Sequence, residues 1–351
     1  MALSTLDPLT DIRWSDFLAL HPEASVFHTP GWLEALRRTY GYEPVVYTTA
    51  HSAQPLENGI AVCRVESWLT GRRWVSVPFA DHCQPLAAGP IDLERILEAI
   101  REEASWARAK YLELRPLHLE VGRQGLFGAS SEYYFQRLDL TPSVDDLYQR
   151  LHKTSIRQPI KRAERDGLEL REGTSNDLLH SFYELLLLTR RKHGLPPQPR
   201  RWFRSVLDHL PGQSLLRVAM LREKPVAAIM TLSFNETHYY KYGCSHPDFV
   251  KHGATPWLLW RAITEAKEQG ARWFDMGRSD IENEGLWRFK EHFGPERLML
   301  RYLRSPPPRR APSDRKPQGD ESKMTLARAV FSRLPDRVLV ATGEILYKHM
   351  G

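Results

Sequence analysis

The chain has 351 residues, 42% hydrophobic and 26% charged, a globular composition long enough for two modest domains. Its cysteines, Cys63, Cys83 and Cys244, lie far apart without CxxC spacing, which excludes a disulfide framework and a cysteine zinc site and predicts a reducing, cytoplasmic setting. The balance of 49 Lys+Arg against 43 Asp+Glu gives a net charge of +6, which favours anionic partners without naming one.

The N-terminal stretch has no basic region ahead of an apolar one, and no apolar run approaches the ~20 residues a bilayer span needs. Neither a signal sequence nor a transmembrane helix is expected. Helices are predicted near Trp14–Leu20 and Pro30–Tyr40, and strands near Val45–Thr49, Gly59–Trp68 and Arg73–Val77. A helix over Asp92–Ala109 then leads into a strand at Tyr111-Leu112-Glu113-Leu114.

The second half begins with a helix from about Val144 to Asp166, kinked at Pro159 and stopped by Gly167, followed by a short strand at Leu168-Glu169-Leu170. A helix over Asn176–Lys192 carries Leu178, Leu179, Phe182, Leu185 and Leu186 on one stripe. Ser214–Leu221, Val226–Phe234 and His238–Gly243 read as an antiparallel meander. Thr255 as N-cap and Pro256 at the first helical position open a crossover helix that ends at Gly270. A strand through Asp275, a short helix carrying Lys290 and a strand over Arg297–Leu303 complete this half.

The two halves repeat one order. Ala109-Lys110-Tyr111-Leu112-Glu113-Leu114-Arg115 and Ala271-Arg272-Trp273-Phe274-Asp275-Met276-Gly277 both follow a helix, which suggests a structural duplication within an α/β fold of mixed sheets with helices on their faces. The expected division is 1–140 and 141–305 for the two domains, 306–323 for a Pro-rich basic linker, and 324–351 for an amphipathic helical tail. That tail, with helices at Met324–Leu334 and Val338–His349, is read as packing on the body in preference to a membrane.

Chemistry concentrates at Asp275-Met276-Gly277-Arg278-Ser279 and Gly285-Leu286-Trp287-Arg288-Phe289-Lys290, where an acid, an arginine and a lysine meet at a strand end. Strand ends in α/β layers are common ligand sites, and a fixed ammonium there can support negative charge developing on a substrate. The bland alternative for Lys290 is a stem covering apolar surface. No Ser/His/Asp or Cys/His arrangement is legible, so no covalent acyl-enzyme is expected.

Val26-Phe27-His28-Thr29-Pro30-Gly31-Trp32-Leu33-Glu34-Ala35-Leu36, Pro78-Phe79-Ala80-Asp81, Thr189-Arg190-Arg191-Lys192-His193-Gly194, Tyr239-Tyr240-Lys241-Tyr242-Gly243 and the two segments above together resemble the FemAB-type branch of the GNAT acyltransferase superfamily. The likeness covers about residues 10 to 305 and is strongest to bacterial members associated with exopolysaccharide and exported-protein systems. It implies tandem GNAT-like domains and transfer of an acyl or aminoacyl group onto an amine of a peptidoglycan precursor or an exopolysaccharide. It also implies that the Phe289-Lys290 pair sits at the donor end, with Lys290 supporting the tetrahedral intermediate. Asp275 would orient the attacking amine or pair with Arg278. Arg190 and Arg191 would clamp phosphate or carboxylate, Tyr240 and Tyr242 would line a channel, and Asp81 would lie on the acceptor side.

No metal or resident cofactor is expected. The donor is left between aminoacyl-tRNA and acyl-CoA, because Asp248-Phe249-Val250-Lys251-His252-Gly253-Ala254-Thr255-Pro256 lacks the glycine-rich pyrophosphate loop of CoA-using GNAT enzymes, while Leu195-Pro196-Pro197-Gln198-Pro199 ends the second helix without the coiled-coil arm of some tRNA-using members. Basic clusters at Arg157, Lys161 and Arg162 and from Arg301 to Lys316 are expected to meet an anionic substrate, tRNA or the inner membrane face. They also support a rival reading, a non-catalytic peripheral factor binding anionic lipid-linked glycan.

Overall fold

The structure, a computed structural model, describes residues 3–87, 89–118, 126–309 and 328–351. The chain forms two compact units, one of Met1–Tyr133, Leu300–Lys316 and Ile345–Gly351, the other of Tyr134–Met299 and Pro317–Glu344. The expected helical tail is therefore not a unit of its own, and its last residues belong to the first unit.

In the first unit, β1 (Ser4–Leu6), β2 (Glu43–Thr48), β3 (Ile60–Val65), β4 (Arg73–Val75) and β5 (Leu112–Leu114) lie in that order, with the end of β12 (Glu296–Ser305) beside β5. The pairs are antiparallel except β4–β5, which α3 (Pro90–Trp106) joins as a crossover. Helix α1 (Ile12–Leu20) is capped by Asp11, and α2 (Pro30–Tyr40) is capped by Thr29 with Pro30 in its first turn. Trp14, Phe27, Trp32, Leu33 and Leu36 are wholly buried. The chain end completes this unit. Arg73, 3% exposed, donates to the carbonyls of Gly351 (2.6 Å) and His349 (2.7 Å), and the Tyr42 hydroxyl donates to the carbonyls of Tyr347 and Lys348.

In the second unit the order is β6 (Gly128–Asp139), β11 (Trp273–Asp280), β10 (Thr237–Ser245), β9 (Lys224–Phe234), β8 (Ser214–Leu221) and β7 (Glu169–Gly173). Again one pair is parallel, β10–β11, joined by the crossover α8 (Ala254–Glu268). Helices α5 (Gln158–Arg165) and α8 cover one face through Ile160, Ala163, Trp257, Leu258 and Ile263, packed on Ala227, Ile229 and Phe274. Helices α6 (Asn176–Lys192) and α7 (Arg200–His209) cover the other, where the Cys244 thiol meets the Phe182 carbonyl and Phe203 meets Tyr242.

The predicted helix over Val144–Asp166 is three pieces: α4 (Val144–Arg150), a π-helical turn at Lys153–Arg157, and α5. The break falls at Leu151–His152, both extended, where the His152 ring accepts the Ser155 N–H and restarts the helix. Pro159 is the second residue of α5, which continues directly from the π-helical turn. Helix α8 starts one residue before Thr255, with Gly253 as its N-cap. Three elements are not among the expected ones: β1, β6, and α7, which follows the proline run at Pro196, Pro197 and Pro199. The expected linker, the start of the first tail helix and residues 310–316 of the basic stretch lie outside the described residues. Helix α10 (Asp336–Tyr347) follows them.

Candidate active site

The two parallel pairs share one register. Trp74 faces Leu112 and Val75 faces Glu113 in the first unit; His238 faces Phe274 and Tyr239 faces Asp275 in the second. Each parallel pair stops at the acid, and beyond it the second unit's strands run on to Ser245 and Asp280 without pairing to each other. Parallel strands that part at their carboxyl ends leave room for a ligand between them.

Asp275, 4% exposed, turns its carboxylate back to accept the Gly277 N–H at 2.6 Å. That contact needs Gly277 at φ 72°, a left-handed conformation that costs about 1–2 kcal/mol for a residue with a Cβ. The strand thus does not end at Gly277, as its glycine suggests, but kinks there and runs on to Asp280. The kink aims two successive carbonyls at one side chain. Lys290 Nζ donates to Gly277 O at 3.3 Å and to Arg278 O at 3.0 Å.

Lys290 comes from α9 (Glu284–Glu291), capped by Asn283, and is the one buried residue of that helix at 3% exposure. By contrast, Leu286 and Phe289 on the same helix are only half-buried. An ammonium buried in this way is costly unless it is hydrogen-bonded, and the two carbonyls meet that need while fixing its position. Phe289 packs edge-on against Phe293 at 5.5 Å and against the α5–α8 core, so it supports α9. Arg278 is half-buried on β11.

Two buried polar atoms near this corner escaped the sequence reading. The Ser279 hydroxyl, on a residue 2% exposed, and Gln136 Oε1, on a fully buried residue of β6, have no hydrogen-bond partner among the described residues. Gln136 Nε2 donates to the Trp287 carbonyl at 3.0 Å, tying β6 to α9. The only available signal was a glutamine directly after the aromatic Tyr133-Tyr134-Phe135, and β6 itself was not recognised.

Other expected site residues are placed elsewhere. A bulge between Tyr240 and Tyr242 inserts Lys241 into β10 and sends the two tyrosines to opposite faces. Tyr240 packs on the α8 side, where burial pushes its phenol well up. Tyr242 accepts the Trp202 indole N–H at 2.9 Å on the α7 side, so the pair does not line one channel. Arg191 is tied to the Leu334 carbonyl at 3.3 Å and to Asp336, and Arg190 is half-buried one residue before it. Asp81 lies in the first unit, where its carbonyl accepts the Tyr302 hydroxyl at 2.7 Å. Lys161 and Arg162 are exposed, but Arg162 donates to the Lys251 carbonyl at 2.9 Å, and Arg157 donates to Gln149 Oε1 at 3.1 Å. Of the second basic stretch, Arg301 pairs with Glu132 and Arg304 with Glu113.

The start of α8 tests the fit of a CoA pyrophosphate. Gly253 has φ 74°, and a Cβ there would stand 2.2 Å from the Pro159 carbonyl oxygen, so α5 backbone covers the turn into α8. With Pro256 also lacking an N–H, this turn does not provide the open row of amides that a pyrophosphate needs.

A Ser/His/Cys set does exist in the first unit. Cys83 Sγ lies 3.2 Å from His28 Nε2, and Ser25 Oγ lies 2.9 Å from His28 Nδ1. Burial pushes the thiol up to about 12 and the imidazole down to about 4, so both are neutral and sealed and offer no nucleophile.

Residues 150–291 match the family model described as the acetyltransferase (GNAT) domain. Among solved structures, FemX is similar with 14% identity and a TM-score of 0.67, covering 87% of this chain and 97% of FemX. The C-terminal domain of a protein described as a lysylphosphatidylglycerol synthetase from Agrobacterium fabrum matches with 17% identity and a TM-score of 0.56, covering 91% and 95%. A tandem GNAT protein from the clavulanic acid biosynthesis pathway matches with 12% identity and a TM-score of 0.55, covering 87% and 98%. No curated protein matches the chain. The fold is the GNAT acyltransferase fold in tandem, and no helix among the described residues is long and apolar enough to cross a membrane.

Proposed function

We propose that the second unit transfers an acyl or aminoacyl group onto an amine of a cell-envelope precursor, a peptidoglycan peptide or an exopolysaccharide. The observation that carries this reading is Lys290, a buried ammonium fixed by two backbone carbonyls at the kink of β11. The amine nitrogen attacks the acyl carbonyl, an N–C bond forms, and the carbonyl oxygen takes up the negative charge. Collapse of this intermediate breaks the acyl–oxygen or acyl–sulfur bond, and the proton lost by the amine goes to the leaving group. A fixed cation at the developing oxyanion contributes about 3 kcal/mol to such a step, and Asp275 holds Gly277 in the conformation that sets the cation's partners.

The covered start of α8 favours an aminoacyl ester on tRNA as donor over a CoA thioester. The lipid in the description of the lysylphosphatidylglycerol synthetase domain fits a cell-envelope setting. The test is a mass-spectrometric transfer assay with aminoacyl-tRNA and acyl-CoA pools against peptidoglycan precursors and amino sugars. Amide product that is lost in Lys290→Met supports the reading. Equal product with that variant contradicts it.

A further inference from the structure

Large apolar side chains collect around the turn between β3 and β4 of the first unit. Trp68 is 83% exposed with Leu69 exposed beside it, and Trp106, the last residue of α3, is 87% exposed. The turn joins the end of α3 to the end of the chain. Arg72 donates to the Ala107 carbonyl at 3.3 Å, next to Trp106, and the Arg72 carbonyl accepts the Lys110 N–H at 2.8 Å. Toward the chain end, Ser67 Oγ lies 2.8 Å from His349 Nδ1, the Thr70 hydroxyl donates to the His349 carbonyl at 3.2 Å, and the Trp68 ring stands edge-on to the His349 ring at 5.2 Å. Met350, the next residue, is exposed as well.

A single exposed hydrophobic residue needs no explanation, but two tryptophans, a leucine and a methionine around one turn do. The same segments are basic. Of the acids in residues 66–72, 102–110 and 348–351, Glu66 pairs with Arg72 at 2.9 Å and Glu103 with Arg64 at 2.5 Å, which leaves Glu102 against the exposed Arg108, Lys110 and Lys348. Arg108 also holds a costly position. At φ 55° it takes the left-handed place after α3 that Gly167 and Gly270 take after α5 and α8. An arginine kept where glycine is favoured points to a use for its charge.

We infer that this part of the first unit docks on an anionic lipid bilayer, with Trp68, Leu69, Trp106 and Met350 entering the headgroup level and Arg108, Lys110 and Lys348 meeting the lipid phosphates. Exposed tryptophan flanked by lysine and arginine is the composition of a membrane–water interface. Protein interfaces also favour tryptophan, but lysine is depleted there. The docking does not rest on the acyl-transfer reading, and Lys290→Met leaves it unchanged.

The experiment is sedimentation of the full chain with vesicles of phosphatidylcholine alone and of phosphatidylcholine mixed with phosphatidylglycerol, across a salt series. The chain binds the anionic vesicles in preference, binding weakens as salt rises, and tryptophan emission shifts to the blue. Trp68→Ala combined with Trp106→Ala lowers the partition coefficient by at least about tenfold. Arg108→Gly combined with Lys110→Gln lowers it by about tenfold and flattens the salt dependence. The glycine relieves the left-handed conformation, so that variant stays folded, and circular dichroism checks the fold of both. No binding to anionic vesicles, equal binding to both vesicle types, or unchanged binding in the folded double tryptophan variant overturns the proposal. So does a dimer in sedimentation velocity that the tryptophan substitutions dissolve, which would give the face to a second copy of the chain.

Discussion

The two β-strands that follow the crossover helices, β5 and β11, begin with the same plan and end as opposites. In the second unit the acid Asp275 faces Tyr239, and the residue two places on is Gly277, whose kink leaves the strands apart and presents Lys290. In the first unit the acid Glu113 faces Val75, and the residue two places on is Arg115. Its guanidinium donates to Glu113 Oε1 at 2.9 and 3.0 Å and to the carbonyls of Val77 and Ala80, and it lies 4.8 Å from the centre of the Tyr302 ring. Arg304 takes the other Glu113 oxygen at 2.7 Å. One glycine-to-arginine difference separates a corner that can receive a ligand from one filled by its own side chain.

Breaking the filled corner has the largest consequence. Burial alone would raise Glu113, but Arg115 and Arg304 outweigh it and hold the carboxyl below its usual range. Arg115→Met removes one partner from a buried charge and is expected to cost about 3–5 kcal/mol in urea unfolding. Truncation after Glu344 is expected to cost a similar amount, because Arg73 loses the Gly351 and His349 carbonyls inside the first unit. A melt of the truncated chain that matches full length would show that the chain end is an appendage after all.

The sealed first unit also carries the pH dependence. His28 has a folded value of about 4 against 6.5 unfolded, so the unfolded chain binds the extra proton between them. The stability that goes with neutral His28 is present above pH 6.5 and is lost, by roughly 3 kcal/mol, as pH falls from 6.5 toward 4. Urea midpoints at pH 7.5 and 5 should show this slope, and His28→Gln should flatten it.

The open corner is sharpened by Gly277→Ala, which forces a Cβ into a φ of 72°. The expected cost is about 1–2 kcal/mol of stability, together with loss of transfer as the carbonyls holding Lys290 move. Full stability and full activity in the Gly277→Ala variant would mean that the kink is incidental.

Much of this frame was legible. The expected bounds of α2 and α6 match the structure, where Thr29 with Pro30 and Ser175 with Asn176 cap their starts. The likeness of the Glu113 and Asp275 segments led to the duplication, and the shared strand register bears it out. Helix α7 was hidden by Pro196, Pro197 and Pro199, although Trp202, Phe203, Val206 and Leu207 stand at helical spacing behind them. Strand β6 was hidden because most of its residues are half-buried and do not alternate. The bulge at Lys241 left no mark in composition, and it alone decides that Tyr240 and Tyr242 face apart. Long-range ties such as Arg191 to Asp336 and Arg73 to Gly351 join residues far apart in the chain, which local spacing does not foresee.

The central claim is that the β11 corner works through Lys290 while the β5 corner is structural. The most direct measurement compares single-turnover amide formation, with whichever donor and acceptor pair supports it, in Lys290→Met and Arg115→Met, each held well below its melting temperature. The account predicts a rate lower by about a hundredfold or more for Lys290→Met, and a rate within a few-fold of the unsubstituted chain for Arg115→Met. Equal rates for both variants, or a loss confined to Arg115→Met, would contradict it.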